Sequence, residues 1–191
     1  GAAVLGSTVA DSNGDWSFTP ATPILEGEHK FHVTATDEAG NVSKPSNDFI
    51  LITDYTAPDA SKLAITGVDD QVGMITGNVK SGDSTDDSRP TISGTGTQGD
   101  LVTVYSKDST GNHVIGSATV DANGKWSLQP TSPLLGGLNE LTAVEMDPVG
   151  NTTSPSASYN ITLITVGPAA PVIVSVMDDV GTITGAIQKG G

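Results

Sequence analysis

Asp-Ala-Asn-Gly-Lys-Trp-Ser, at residues 121–127, decides the fold of this chain, because it is a second copy of Asp-Ser-Asn-Gly-Asp-Trp-Ser at residues 11–17. The two copies lie 110 positions apart (121 − 11), and the same shift relates residues 4–46 to residues 114–156 without a gap. A repeat of this length is too long for a solenoid and matches one complete domain in a tandem array. Arrays of similar modules usually set length, spacing or display, and catalysis less often.

The period divides the 191 residues into three units. Residues 1–56 are interpreted as the C-terminal part of one repeat, residues 57–166 as a complete repeat, and residues 167–191 as the N-terminal part of the next. A complete repeat is long enough to bury its own core, whereas the partial repeats are not expected to fold fully alone. Whether the two partial units pair between molecules stays open at this point.

Short β-branched runs bounded by glycine, proline and other turn residues predict an all-β sandwich, with no stretch of helical periodicity. In the complete copy, the predicted strands cover residues 62–66, 74–79, 90–94, 101–107, 114–120, 125–129, 139–146 and 158–165. Asn13-Gly14 and Asn123-Gly124 predict type I′ hairpin turns, because asparagine and glycine tolerate the positive φ that such turns demand.

Strand alternation predicts which side chains face the core. Trp16 lies two positions before Phe18, and Trp126 two before Leu128, so each pair shares one face of a strand. Both tryptophans are therefore expected in the core. Glu145 interrupts the apolar side of a later strand, which indicates an open sheet end or a local bulge.

The charge balance excludes several classes of partner. There are 22 acidic and 8 basic residues, a formal charge of −14, so no cationic face is available for nucleic acid or for anionic lipid. Clustered carboxylates favour solubility and divalent cations. The absence of cysteine excludes disulfides and thiolate metal sites. No apolar run approaches the length needed to span a membrane.

Five motifs follow one another along the complete copy and the linker before it: Thr-Asp-Tyr-Thr-Ala-Pro at 53–58, Asp-Asp-Gln-Val-Gly at 69–73, Ser-Thr-Asp-Asp-Ser-Arg-Pro-Thr-Ile-Ser-Gly-Thr at 84–95, Asn-Gly-Lys-Trp-Ser at 123–127 and Asp-Pro-Val-Gly-Asn at 147–151. Together they resemble the bacterial Ig-like repeats of giant surface adhesins and biofilm-associated proteins, typically exported by type I secretion. The resemblance covers essentially the whole chain. It implies tandem Ig-like β-sandwich modules that form an extracellular rod at the bacterial cell surface, in which calcium at module junctions stiffens the rod.

The same resemblance implies calcium ligands in acidic loops near module ends, because Ca²⁺ prefers six to eight hard oxygen ligands. The candidate ligands are nine aspartates: Asp37, Asp54, Asp69, Asp70, Asp86, Asp87, Asp147, Asp178 and Asp179. If modules stack end to end, the first four are expected to converge on one ion. The last three remain at the second junction, which is expected to bind calcium more weakly or not at all, because Val166-Gly167 replaces Asp54-Tyr55 and Pro148 replaces Glu38. The alternative is that these aspartates are solvated or cap turns.

Catalysis has little support in the sequence. His29, His32 and His113 are the only histidines, and they form no zinc-binding motif; no nucleophile elbow and no phosphate-cradling loop is present. The predicted function is a non-catalytic spacer of an adhesin that supports adhesion and biofilm formation, with adjacent repeats as partners and the distal ligand outside this chain. The alternatives are a carbohydrate- or surface-ligand-binding module, for which Tyr55, Tyr105 and Tyr159 are the candidates, and an accessory domain of a secreted enzyme.

Overall fold

The computed structural model of the chain describes residues 3–178 and 185–187, and all regular secondary structure there is β-strand. The strands are β1 (Gly27–Phe31), β2 (Phe49–Thr53), β3 (Ala64–Asp70), β4 (Gly77–Val79), β5 (Ser84–Thr85), β6 (Thr91–Thr95), β7 (Leu101–Asp108), β8 (Gly111–Thr119), β9 (Lys125–Leu128), β10 (Gly137–Met146), β11 (Tyr159–Leu163), β12 (Val176–Asp178) and β13 (Gly185–Ile187). Within residues 3–178 and 185–187, no helix is long and apolar enough to cross a membrane. The predicted all-β class is confirmed.

Strands β3 to β11 form a sandwich of two sheets. One sheet has the order β4-β3-β6-β9 and the other β5-β11-β10-β7-β8, and every pairing is antiparallel except that of β11 with β5. Alternate residues of each strand point inward, because successive side chains of a strand face opposite sides of the sheet. The buried apolar side chains are Leu63, Ile65, Val68, Val79, Ile92, Val102, Val104, Ile115, Val120, Trp126, Leu134, Leu141, Ala143, Ile161 and Leu163.

The predicted strands of the complete copy all overlap strands of the structure, and one short strand was missed. That strand is β5, which pairs with β11 through only two residues of each strand. Its sequence, Ser84-Thr85, lies among aspartates and carries no apolar alternation, so periodicity gave no signal for it.

Trp126 occupies the interior as expected, with 3% of its surface exposed. Its indole nitrogen donates a hydrogen bond to the carbonyl of Thr95 at 2.9 Å, and its ring lies over Gly94. A Cβ at Gly94 would lie 2.1 Å from the carbonyl oxygen of Ala64 and 2.3 Å from the Trp126 ring. Glycine at this position is therefore what lets the indole, which extends from β9, lie over β6.

Trp16, expected in the core, is instead 54% exposed, so that prediction is wrong. The local structure of the first unit repeats that of the second: β1 pairs with β2 in the register Gly27↔Thr53, as β10 pairs with β11 in the register Gly137↔Leu163. What differs is the surroundings. β3 and β6 enclose Trp126, and a shift of 110 positions would place their counterparts in the first unit before Gly1. No other described segment covers Trp16.

The predicted type I′ hairpin turns are wrong: both segments form turns, but Asn123-Gly124 connects β8 to β9, which belong to different sheets. The turn type differs as well. Gly124 has φ of 71°, but among residues 3–178 and 185–187 only glycines have positive φ, whereas a type I′ turn needs it at both central residues. The Asp121 carboxylate instead accepts hydrogen bonds from the backbone of Asn123 and Lys125 at 2.8 and 2.9 Å. Asp11 makes the same bonds with Asn13 and Asp15.

The third unit begins as the second does. β12 pairs with β13 in the register Val176↔Ile187, which matches Val68↔Val79 in β3 and β4. Asp178 therefore ends its strand as Asp70 ends β3. Asp179 lies outside the described residues.

Candidate functional site at the module ends

The two ends of the sandwich are defined by strand β10. At its start, Gly137 pairs with Leu163, where the chain leaves the sandwich; at its end, Met146 pairs with Leu101. Ten residues at about 3.3 Å each separate these ends by roughly 30 Å. We call the Met146 end the leading end and the Leu163 end the trailing end.

The leading end carries the Asp147–Asn151 loop. One carboxylate oxygen of Asp147 accepts hydrogen bonds from the backbone of Val149, Gly150 and Asn151 at 2.7–3.0 Å, and the other accepts one from the Asn151 side chain at 2.7 Å. Burial alone would raise the pKa of Asp147, but the Asn151 amide and the backbone donors outweigh it and lower the pKa. The loop is therefore held rigid by an ionised aspartate.

The first unit has the same loop. Asp37 accepts hydrogen bonds from the backbone and side-chain nitrogens of Asn41 at 2.8 and 2.9 Å. The side-chain amide of Asn41, followed by its backbone, lowers the pKa of Asp37.

The leading end also contacts the linker from the first unit. The Asn151 side-chain nitrogen donates to the backbone carbonyl of Asp54 at 3.1 Å, while it also donates to Asp147. The Asp54 carboxylate accepts a hydrogen bond from the backbone of Thr56 at 3.0 Å. Asn151 thus joins the rigid loop of one module to the chain that enters it. Sequence analysis quoted Asn151 within a motif but assigned it no role.

The trailing end carries four of the predicted ligands. Asp70 and Asp87 are buried: Asp70 accepts hydrogen bonds from the Thr85 hydroxyl at 2.6 Å and the Val72 backbone at 3.0 Å, and Asp87 accepts from the backbone of Gln71 and Arg89. The exposed Asp86 carboxylate lies against Gly73, where a Cβ would be 2.3 Å from one of its oxygens. Asp69 is exposed beside them.

The predicted convergence of Asp37, Asp54, Asp69 and Asp70 on one ion is wrong. Asp54 lies at the leading end of the sandwich and Asp69-Asp70 at its trailing end, because β3 runs the length of the sheet between them. Asp37 follows a strand whose first residue, Gly27, pairs with Thr53, so it lies at the far end of the first unit. Asp37, Asp54 and the Asp69-Asp70 pair therefore lie at three different module ends.

The grouping of Asp147 with Asp178 at a second junction is wrong for the same reason, and Asp179 lies outside the described residues. Asp147 lies beside the first linker, and Asp178 takes the position of Asp70 in its own unit. Asp86 and Asp87 do lie with Asp69 and Asp70. Within residues 3–178 and 185–187, no three histidine, cysteine, aspartate or glutamate side chains are close enough together to hold a metal ion.

The interrupted alternation at Glu145 indicated an open sheet end or a local bulge, and the structure shows neither at this residue. Its side chain is completely buried at the leading end, and its carboxylate accepts a hydrogen bond from the Thr97 backbone in the turn after β6. Asp100, also buried, lies in the same turn, and its backbone nitrogen donates to the Thr97 carbonyl at 3.2 Å. The only sequence signal for this group was the interrupted alternation at Glu145.

The tyrosines do not form a ligand-binding platform. Tyr159 packs against the core and donates a hydrogen bond to the Val79 carbonyl at 2.6 Å. Tyr159 pairs with Leu141, whereas Tyr105 pairs with the next residue of β10, Thr142. Because successive residues of a strand face opposite sides, Tyr105 faces the other side of the sheet. Tyr55 lies in the linker. A solvent-facing Trp126 would favour a ligand-binding module, but Trp126 is buried.

Comparison with known families agrees with this architecture. The family model for the bacterial Ig-like domain matches residues 1–54 and 62–163, so the chain belongs to that family. A solved structure of a tetra-tandem repeat in the extending region of a large adhesion protein is similar, with 22% identity and a TM-score of 0.41. The similarity covers 82% of this chain and 40% of that one, so this chain spans well under half of its length. No curated protein matches the chain.

Proposed function

We propose that this chain is a run of extension modules from a bacterial surface adhesin, a non-catalytic spacer that holds a distal adhesive region away from the cell and so supports adhesion and biofilm formation. The observation that carries the proposal is the placement of the linkers. The chain enters the sandwich at the leading end and leaves at the trailing end, so each further module adds its full length.

The linker geometry supports an extended arrangement of modules rather than modules joined by a flexible linker. Pro58 restricts the backbone of the linker, and Asn151 bonds to the linker carbonyl of Asp54. A single hydrogen bond of this kind contributes about 0.5–1.5 kcal/mol, enough to bias the orientation of two neighbouring units but not to fix it alone.

Substitution of Asn151 with alanine should loosen this joint without unfolding the sandwich. Spin labels at Lys30→Cys in the first unit and Lys107→Cys in the sandwich report the spread of distances across the linker, and the chain has no native cysteine to interfere. The distance distribution should broaden in Asn151→Ala. Asn41→Ala is the matched control, because Asn41 holds the equivalent loop through Asp37, and within the described residues its side chain makes no hydrogen bond to a linker. Equal widths in both variants would contradict the role of Asn151.

Calcium at the junctions is the second part of the proposal. The trailing end offers Asp69, Asp70, Asp86 and Asp87, and the leading end offers Asp54 and Asp147, all hard oxygen donors suited to Ca²⁺. When bound, calcium would neutralise carboxylates from two neighbouring modules and favour their alignment.

Chelation of calcium should therefore act where a trailing end meets a leading end. The present chain has both ends of one sandwich, so we expect the larger effect in a protein in which residues 54–163 occur twice in succession, because Asp54 then stands in the linker between the two copies. Its maximum dimension in small-angle X-ray scattering should decrease when a chelator replaces millimolar calcium. With Asp69→Asn and Asp86→Asn in the first copy, two exposed changes, the dimension should no longer respond. Superimposable scattering curves with and without calcium would exclude the stiffening role.

A further inference from the structure

The two outer faces of the sandwich differ in character. On the four-stranded sheet, the paired residues that point outward are small or polar, among them Asp69, Asn78, Thr91, Ser93, Lys125 and Ser127. On the five-stranded sheet, β7, β8 and β10 point six larger apolar residues outward: Leu101, Tyr105, Val114, Leu138, Val144 and Met146. We call these six residues the apolar face. Leu138, Val114 and Met146 are exposed, and the other three are half-buried.

The fold does not require this face to be apolar. A shift of 110 positions relates Leu138, Val144 and Met146 to residues of the first unit that are all polar: Glu28, Thr34 and Thr36. The inward positions of the same segment stay apolar in both units, as Leu141 and its counterpart Phe31 show. The outward apolar residues are therefore specific to the complete module. Contiguous apolar residues on the surface of a hydrophilic protein mark interaction sites.

The distribution of charge favours a second copy of this chain as the partner. The chain carries a formal charge of −14, so two copies repel each other over most of their surface. Within residues 101–163, all of which the structure describes, Lys107 and Glu140 are the two charged residues at outward paired positions of the strands. They pair across β7 and β10, with 3.4 Å between Nζ and Oε2. This side of the sheet is therefore neutral, and two acidic copies can approach each other there.

We propose that two copies of this chain associate side by side through the apolar face. A two-fold axis parallel to the strands, between β7 and β10, places β7 of each copy over β10 of the other. Residues that pair across these strands within one copy then face each other between copies. Lys107 of each copy faces Glu140 of the other, and Leu101 of each faces Met146 of the other.

The Lys107–Glu140 pair also selects the direction of association. A two-fold axis across the strands would bring Lys107 against Lys107 and Glu140 against Glu140, or would bring no charges together. The axis parallel to the strands brings opposite charges together twice. In this arrangement the leading ends of both copies point the same way, so two extended chains can lie along each other.

The size of the face fits a weak and reversible association. The ten residues of β10 give it a length of about 33 Å, and four neighbouring strands give it a width of about 19 Å. The resulting area of roughly 600 Å² per copy is below the ~800 Å² per partner of a standard interface. Dimers should therefore form only at high protein concentration, and several such modules in one chain would bind more tightly. The association depends neither on calcium nor on the extension role proposed above.

Sedimentation velocity of the full chain over a range of concentrations, with a chelator present, tests the proposal. We expect a monomer–dimer equilibrium. A triple variant with Leu138→Glu, Val144→Thr and Met146→Thr carries the residues of the first unit, so it should fold and remain monomeric. Circular dichroism during denaturant titration checks that it unfolds as the unmodified chain does. Association of equal strength in the triple variant would place the contact elsewhere, for example on the exposed apolar residues of the first unit, and would overturn the proposal.

Charge reversal tests the arrangement of the two copies. Lys107→Glu and Glu140→Lys should each raise the dissociation constant of the dimer about tenfold, because like charges then meet at the axis. An equal mixture of the two variants should form a heterodimer about as stable as the unmodified dimer, since each copy supplies the charge that the other lacks. Lys125→Glu, on the outer face of the other sheet, is the matched control and should leave the dissociation constant unchanged. A chain that is monomeric at every concentration, or a mixture that does not recover association, would contradict the proposal.

Discussion

Replacing Trp126 with alanine is expected to lower the free energy of unfolding of the sandwich by about 3–5 kcal/mol, the usual range for truncating a large buried aromatic residue. The same substitution at Trp16 should change it by less than about 0.5 kcal/mol, as for most surface positions. The two tryptophans share a seven-residue motif, so the difference arises from surroundings alone. Trp126 fills the space over Gly94 and satisfies the Thr95 carbonyl, which its loss would leave unpaired.

Denaturant-induced unfolding of the full chain, followed by far-UV circular dichroism, measures both variants without relying on tryptophan fluorescence. The midpoint should shift strongly in Trp126→Ala and stay in place in Trp16→Ala. Comparable shifts in the two variants would mean that the first unit buries Trp16 in solution, in a second module or against another molecule. That result would also overturn the description of Trp16 as an exposed side chain.

The contrast between these tryptophans shows what sequence could predict about the fold. Alternation and turn spacing correctly predicted an all-β sandwich and located the strands, because strand side-chain direction is a local property. Burial is not local. It depends on β3 and β6, some 30 to 60 positions away in sequence, and the motif around Trp16 carries no information on whether those strands are present.

The candidate site was predicted less well for a different reason. A repeat identifies which positions recur, but it does not say at which end of a sandwich a loop lies. Asp37 of the first Asp-x-x-Gly-Asn loop was grouped with Asp69 and Asp70 of the next unit, whereas the hydrogen bond from Asn151 to Asp54 shows that this loop lies beside the incoming linker of its own unit. The acidic character of the ends was predictable from composition; their pairing required the register of β10.

Glu145 illustrates a signal that was visible and misread. A charged residue on the apolar side of a strand indicated that something unusual occurs there, but not whether the side chain turns outward or reaches a partner. The answer depends on Gly96 and Thr97, which lie on the opposite sheet almost fifty positions earlier in the chain. Disagreements between local pattern and fold of this kind often mark positions with a specific role.

Alanine in place of Asn139 is expected to lower the free energy of unfolding of the sandwich by about 2–4 kcal/mol, since buried groups left without partners cost about 1–3 kcal/mol each. Its side chain is fully buried, donates to the carbonyls of Leu135 and Gly137 at 2.9 and 3.1 Å, and accepts from the Ser106 hydroxyl at 2.9 Å. These bonds fix the start of β10 and the loop before it. Strand alternation gave no indication of a polar residue there.

Two controls are available for Asn139: its hydrogen-bond partner Ser106, and its counterpart in the first unit, His29. Ser106→Ala removes one of the three bonds, so the double variant should cost less than the sum of the two single variants, by a coupling of about 0.5–3 kcal/mol. In the first unit the counterpart is His29, whose ring contacts the Leu25 carbonyl at 2.6 Å, the position equivalent to Leu135. His29→Ala should leave the unfolding transition of the sandwich unchanged, because that contact lies outside it. Strict additivity of Asn139→Ala and Ser106→Ala in denaturant titrations would show that the three bonds do not act as one network, and the expected cost at Asn139 would then rest on the two carbonyls alone.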